Sequence, residues 1–435
     1  MLSRIARTLW GEISRDEFKK FGLLSAVFFL IIGSYWTLRV LKDSLFIHLV
    51  GPTGLPYAKM VSLVSLIVLL LFYNKLVDLF EKTKLVYIIS FFYGVLYLII
   101  SFLLMHPTIG VANATPGNDR ILGWVIYVSV ESFGSIVVAL FWSFVASVMD
   151  PQSAKRGYPV IVSGAQLGSI LGTLLVMTQV SRVGEPILFG CAAITVLLVP
   201  FMLKRFHAQK FDAVTIPGLK EEKKATGIIE GLKLIMTKPY LMGILVVSTV
   251  YEIIGFLFEF QMKYQAKIAL GSLNKVTEFI ASYGLAINCL SFLFALIGTS
   301  LFIRKLGLTG CLIMYPSMIA CMVILAWNYP GLWMFFATCV ALKGISYALN
   351  NPCKEIMYIP TSRDVKFKAK SWIDVQGSRS AKGLGATIGA LFPVMSELLV
   401  FGSIFSLGVI AVWIPIAFFV GRTNQRLVQE GRIIE

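Results

Sequence analysis

Residues 21–49 read FGLLSAVFFLIIGSYWTLRVLKDSLFIHL, and this stretch decides the fold. It is long and apolar enough to cross a hydrocarbon core of about 30 Å at about 1.5 Å per residue. Yet Arg39, Lys42 and Asp43 interrupt it. An ionised side chain at mid-membrane costs about 2.5–3.5 kcal/mol on insertion scales, so such residues usually face a polar pathway. One run therefore predicts both a membrane span and a reason to look inside the bundle.

The same kind of run recurs along the whole chain. Twelve segments read as spans, at about 21–49, 57–79, 85–105, 122–149, 158–180, 186–204, 240–268, 276–303, 306–327, 331–349, 372–397 and 402–421. The composition agrees: 57% of the 435 residues are hydrophobic and 14% charged, where a soluble domain has roughly 45–50% and about 25%. The longest hydrophilic break, about 205–238, contains the solvated KEEKK run Lys220 to Lys224 and IIEGLKLIM at 228–236, which reads as a short amphipathic helix on the membrane surface. The expected fold is an all-α polytopic membrane protein of about 12 transmembrane helices in two six-helix halves. The halves are 1–204 and 240–435, joined by a linker at 205–239 that carries the amphipathic helix. Six spans, a cytoplasmic linker and six more is the major-facilitator layout. A faint repeat fits it: GSILGTL at Gly168–Leu174 echoes GATIGAL at Gly385–Leu391. Small-xxx-small spacing also serves close helix packing.

Net charge is +16. Nucleic acid is not needed to explain it, because about two dozen basic residues fall in alternate connections, as the positive-inside rule requires. They include Arg4, Arg7, Arg15, Lys19 and Lys20, the stretch Lys204 to Lys238, Arg363 to Lys370, and Arg422, Arg426 and Arg432. The opposite connections are nearly bare, and 106–121 contains only Arg120. Both termini are expected in the cytoplasm. The charged first twenty residues predict no cleavable signal. The six cysteines form no CxxC pair and the three histidines are scattered, so neither a disulfide framework nor a metal site is expected. The connection 350–371, with Pro352 and Pro360, reads either as a broken helix lining a cavity or as an ordinary loop.

Charges inside the spans are Arg39, Lys42, Asp43, Glu131, Glu252, Glu259, Lys263, Lys343, Arg379 and Lys382. Each has a structural reading. Arg39 and Lys42 can snorkel with Asp43 as partner, and Glu259 with Lys263 can be a plain i,i+4 pair. Together they would cost more than roughly 10 kcal/mol without a use, which favours a shared polar cavity. Arg39, Lys42, Lys382 and Lys354 outnumber Glu131 and Glu259, so that cavity should take an anion, and lysine and arginine both bind phosphate. Ala381-Lys-Gly-Leu-Gly-Ala is a poor imitation of the phosphate-binding GxxxxGK[ST] loop, with no strand before it. A nucleotide-hydrolysing enzyme is not expected, and no cofactor is implied.

Four stretches resemble the bacterial and plastid ATP/ADP translocase (nucleotide transporter) family. Ser34-Tyr-Trp-Thr-Leu-Arg-Val-Leu-Lys-Asp43 resembles its NYxxLRDxKD segment. Glu131-Ser-Phe-Gly-Ser, Leu140-Phe-Trp and Ala154-Lys-Arg-Gly-Tyr-Pro159 resemble ELWGS…LFW…AKRFYP. Tyr251 through Glu259 to Lys263 resembles Y…NLVEVxWK, and Lys343 through Asn351-Pro-Cys-Lys-Glu-Ile-Met-Tyr-Ile-Pro360 to Ile373-Asp-Val and Lys382 resembles KYSLFDPxKEMAYIP…KGKAAIDV…GKSGG. The likeness runs from about residue 10 to about 422. It implies exchange of ATP for ADP by alternating access, with Lys42, Glu131, Glu259 and Lys382 touching the nucleotide. The candidate substrate-binding set is Arg39, Lys42, Glu131, Gln166, Glu259, Lys263, Lys354 and Lys382. ATP and ADP, with phosphate or other nucleotides, are the implied substrates of a monomer in the lipid bilayer. The implied location is the inner membrane of an intracellular bacterium. Departures stand at Phe141-Trp-Ser-Phe-Val-Ala146, Gly157, Gln166 and Asn351, where the family has FWGFAN, phenylalanine, asparagine and aspartate. Lost amides bear on which base edge is read. The alternative to exchange is proton-coupled import of nucleotides with different or broader base specificity, Glu131 or Glu259 carrying the proton. A scaffold or receptor that kept the fold is a third reading, disfavoured by four retained charges.

Overall fold

In lipid a backbone must satisfy its own N–H and C=O groups, and helices do so within one segment. The structure, a computed structural model, describes residues 15–80, 82–149, 151–209, 228–294, 299–362, 365, 369–370, 372–392 and 394–434. Arg4, Arg7, Lys220 to Lys224, Arg363, Lys366 and Lys368 lie outside the described residues. Among the described residues helix dominates, and an isolated bridge pairs Thr361 with Ile434.

In chain order the helices are α1 (Arg15–Leu49), α2 (Leu55–Leu79), α3 (Lys82–Met105), α4 (Ile121–Val148), α5 (Pro151–Ala208) and α6 (Ile228–Thr237). They continue as α7 (Pro239–Leu270), α8 (Leu273–Leu293), α9 (Thr299–Asn328), α10 (Leu332–Ile345), α11 (Asn351–Met357), α12 (Ser378–Leu391) and α13 (Met395–Gln429). Nine of the described helices are long and apolar enough to cross a membrane, and α10 is shorter. The 58-residue α5 is two helices meeting at Gly184, whose φ of 79° suits only glycine at little cost. The spans expected at 158–180 and 186–204 lie on its two arms. Gly307, at φ 67°, breaks α9 in the same way. The amphipathic segment of the linker is helical as α6.

The connection after α10 differs from an ordinary loop. The chain passes through a π-helical turn, Ser346–Asn350, straight into α11. Pro352 sits in the first turn of α11. A second π-helical turn, Trp372–Gly377, opens α12. Such turns frequently mark functional segments of a helix.

The chain forms two compact units, one from Met1–Gly54, Val64–Glu222 and Leu270–Leu285, the other from Leu55–Leu63, Lys223–Ala269 and Ala286–Glu435. In the first, α1 packs along α5 and against α4, and α3 packs on α4 and α5. The α1–α5 approach is close because glycines face each other: a Cβ on Gly33 would meet Gly168 O at 3.3 Å, and one on Gly168 would meet Gly33 N at 3.1 Å. Thr37 Oγ1 donates to Gly172 O at 3.2 Å across the same seam. Phe28 stacks on Phe141, with ring centroids 4.4 Å apart. In the second unit, α9 packs on α10 and α13, with Tyr315 edge-on to Trp413 at 5.5 Å. The echo of the glycine pattern recurs here, since a Cβ on Gly385 would meet Ile253 O of α7 at 2.9 Å. In each unit the pattern therefore serves close packing against that unit's first long helix.

Large apolar side chains cover the outside. Phe91, Phe102 and Phe201 are 61%, 71% and 70% exposed, a surface suited to lipid rather than water. Arg120, the lone basic residue in its connection, is used internally. Its guanidinium donates to the carbonyls of Ile109, Gly110, Asn113 and Thr115 at 2.6–3.2 Å, closing the 109–120 segment on itself.

Candidate functional site

The apolar sequence around Lys42 keeps α1 helical and the lysine inside the bundle, and a buried ammonium group must find partners. Lys42 is only 3% exposed. Its Nζ lies 2.5 Å from Glu131 Oε1 and 3.3 Å from Asp43 Oδ1. It also sits 4.1 Å above the Tyr127 ring. Tyr127 and Glu131 are four apart on α4, so one helix face presents a carboxylate and an aromatic ring to the same lysine. Arg39, on the preceding turn of α1, places its guanidinium 4.7 Å from the Trp36 ring centroid. Gln166 is half-buried on α5, its backbone carbonyl accepting from Ser169 Oγ at 2.8 Å.

In the second unit Glu259 and Lys263 form an i,i+4 pair within α7, 2.6 Å apart. Lys354 of α11 pairs with Asp374 in the π-helical turn before α12, tying the two irregular segments together. Lys382 takes a partner that the spacing of the sequence did not assign. Its Nζ is 3.3 Å from Glu252 Oε1, while Lys343 Nζ donates to Glu252 Oε2 at 2.6 Å. Tyr251 OH donates to Glu252 Oε1 at 3.0 Å.

Of the eight candidate residues, the structure joins Lys42 with Glu131 and Glu259 with Lys263. It gives Lys354 and Lys382 acidic partners from outside the set. Asp374 carried no signal beyond lying in a family-like stretch. Glu252 and Lys343 did carry one, since both interrupt apolar spans. Their pairing was not legible because they are 91 residues apart in the chain. Among the described residues no group of three or more His, Cys, Asp or Glu side chains is placed to hold a metal. All six cysteines are free.

A bundle of long apolar helices in two units, with ion pairs held inside them, has the frame of a major-facilitator-like membrane protein. Solved structures share that frame. A D-xylose–proton symporter superposes with TM-score 0.62 at 13% identity, covering 93% of this chain and 97% of its own. A bacterial homologue of the iron transporter ferroportin, inward-facing, gives 0.63 at 12%, covering 93% and 100%. The TLC ATP/ADP transporter family model matches residues 1–329 and 331–423, and the chain belongs to that family. ADP,ATP carrier protein 1 of Rickettsia prowazekii is 24% identical over 99% of this chain and 98% of its own. ADP,ATP carrier protein 1 of Chlamydia pneumoniae is 26% identical over 93% and 91%. The chloroplastic ADP,ATP carrier protein 2 of Arabidopsis thaliana is 26% identical over 92% and 74%.

Proposed function

We propose that this protein exchanges ATP for ADP across a membrane by alternating access. One observation carries the reading: the charged residues that match the family's motifs, Lys42, Glu131, Glu259 and Lys382, all take part in ion pairs within an apolar chain. Lys42 with Glu131, and Lys382 with Glu252, give an anionic nucleotide charged partners to compete for. Arg39, Gln166, Glu259, Lys263 and Lys354 complete the proposed contact set. The curated relatives named ADP,ATP carriers support the substrate pair. The test is uptake of labelled ATP into proteoliposomes with and without internal ADP. Exchange predicts rapid uptake that requires internal ADP; equal uptake into empty vesicles would refute it.

The same reading places the protein in the inner membrane of an intracellular bacterium, with residues 205–239 as a cytoplasmic linker and both termini on that side. The orientation is supported by the alternation of basic connections. In a cysteine-free background, Gln209→Cys should resist an impermeant thiol reagent in intact cells, and Asn118→Cys should react. Both positions are exposed. The reverse labelling pattern would overturn the orientation.

A further inference from the structure

Three helices of the second unit meet at one carboxylate. Glu252 lies mid-way along α7 in an apolar neighbourhood, Lys343 is near the end of α10, and Lys382 is in the second turn of α12. Glu252 receives Lys343 at 2.6 Å, Lys382 at 3.3 Å and the Tyr251 hydroxyl at 3.0 Å. A simple buried ion pair needs one cation for one anion. Here two ammonium groups and a hydroxyl converge on a single small oxyanion, the donor set that a phosphoryl group also takes. Exposure differs sharply within the cluster. The side chains of Glu252 and Lys343 are 7% and 9% exposed, but that of Lys382 is 34% exposed. An incoming anion can therefore meet Lys382 first and reach Lys343 only by taking the place of Glu252. The opposite arrangement holds in the first unit, where one lysine lies between the carboxylates of Asp43 and Glu131.

We propose that Lys343, Lys382 and Tyr251 form a phosphoryl-accepting subsite in which Glu252 stands in for the phosphoryl group while the site is empty. The inference rests on the nucleotide-exchange reading and assigns its phosphate end to this cluster. A resident carboxylate keeps the buried Lys343 and the half-buried Lys382 satisfied between turnovers. It also competes with bound ligand, so the phosphoryl group is released rather than trapped. Lys343 is then a direct ligand contact, and Glu252 sets how tightly the contact is held.

The experiment titrates purified protein in nanodiscs with ADP, pyrophosphate and adenosine. Glu252→Gln removes the resident anion and should tighten ADP and pyrophosphate about ten- to a hundredfold, the scale of one charge-assisted contact, while adenosine is unchanged. Exchange in vesicles should slow, because the ligand leaves late. Lys343→Gln should weaken ADP and pyrophosphate by about the same factor and spare adenosine. Should Glu252→Gln fail to fold with Lys343 left unpaired, Glu252→Asp keeps the charge but withdraws it from both lysines. It should shift the same two affinities in the same direction by a smaller factor. Glutamine and aspartate variants that leave pyrophosphate unmoved, or that weaken all three ligands together, would show a purely structural pair. Wild-type protein that binds free inorganic phosphate as tightly as pyrophosphate and ADP would assign the subsite to free phosphate, overturning its place at the nucleotide's phosphate end. Wild-type vesicles that fail to exchange nucleotide while the pyrophosphate titration still responds to Glu252 would refute the exchange reading alone.

Discussion

Lys42→Ala should abolish nucleotide exchange and lower thermal stability, and the two losses can be separated. The substitution removes the ammonium group that Glu131 and Asp43 share, and the Asp43 side chain is only 5% exposed. Breaking a buried pair by removing one partner typically costs about 3–5 kcal/mol, because the remaining charge has no compensation. Nucleotide affinity should fall about ten- to a hundredfold on loss of a charge-assisted contact. Lys42→Met combined with Glu131→Gln removes one charge of each sign and leaves the net charge of the cluster unchanged. That double variant should regain part of the melting temperature, read by scanning fluorimetry, since Asp43 keeps its charge without Lys42, yet remain inactive in ATP exchange. Near-normal exchange in the folded double variant would reduce the pair to a structural brace.

The second large effect concerns what drives transport. Glu131 lies 2.5 Å from Lys42 and Glu259 lies 2.6 Å from Lys263, so both candidate proton carriers serve as counter-ions to lysines inside their helices. A proton carrier would have to surrender its lysine in every cycle and leave that lysine uncompensated in an apolar setting. Collapsing an imposed pH gradient should therefore change uptake little. The membrane potential should matter much more. ATP carries one more negative charge than ADP, and moving one charge through 100 mV is worth about 2.3 kcal/mol, so one-for-one exchange should shift its equilibrium ratio about fiftyfold. The measurement is the ATP-to-ADP distribution in vesicles clamped at defined potentials with a potassium ionophore. Concentrative uptake into nucleotide-free vesicles, driven by an inward proton gradient and lost in Glu131→Gln, would favour symport instead.

Proposed contact and structural brace are hard to tell apart from spacing, and Glu259 with Lys263 illustrates it. Their four-residue separation already implies a pair on one helix face, and the structure shows that pair without deciding its use. Lys354 is the opposite case. Its motif is conspicuous, but its partner Asp374 lies across a segment whose course no periodicity could describe.

The sequence by itself determined the class of protein. Runs of about twenty apolar residues can only be helices in lipid, so hydropathy alone gives the membrane-spanning architecture, and alternating basic connections give its expected orientation. It also showed which charges interrupt apolar spans, since the cost of burying each one is local to its own span. Tertiary structure alone decided which charges on different helices share a partner. Lys42 and Glu131 are 89 residues apart, and Glu252 and Lys343 are 91 apart. The Lys382–Glu252 contact shows packing at work: Gly385 of α12 meets Ile253 of α7, where the absence of a side chain lets two backbones nearly touch. An ion pair depends on distances of a few ångströms between helices, and a single helix's sequence carries its own face and burial but not the identity of the group that will stand opposite.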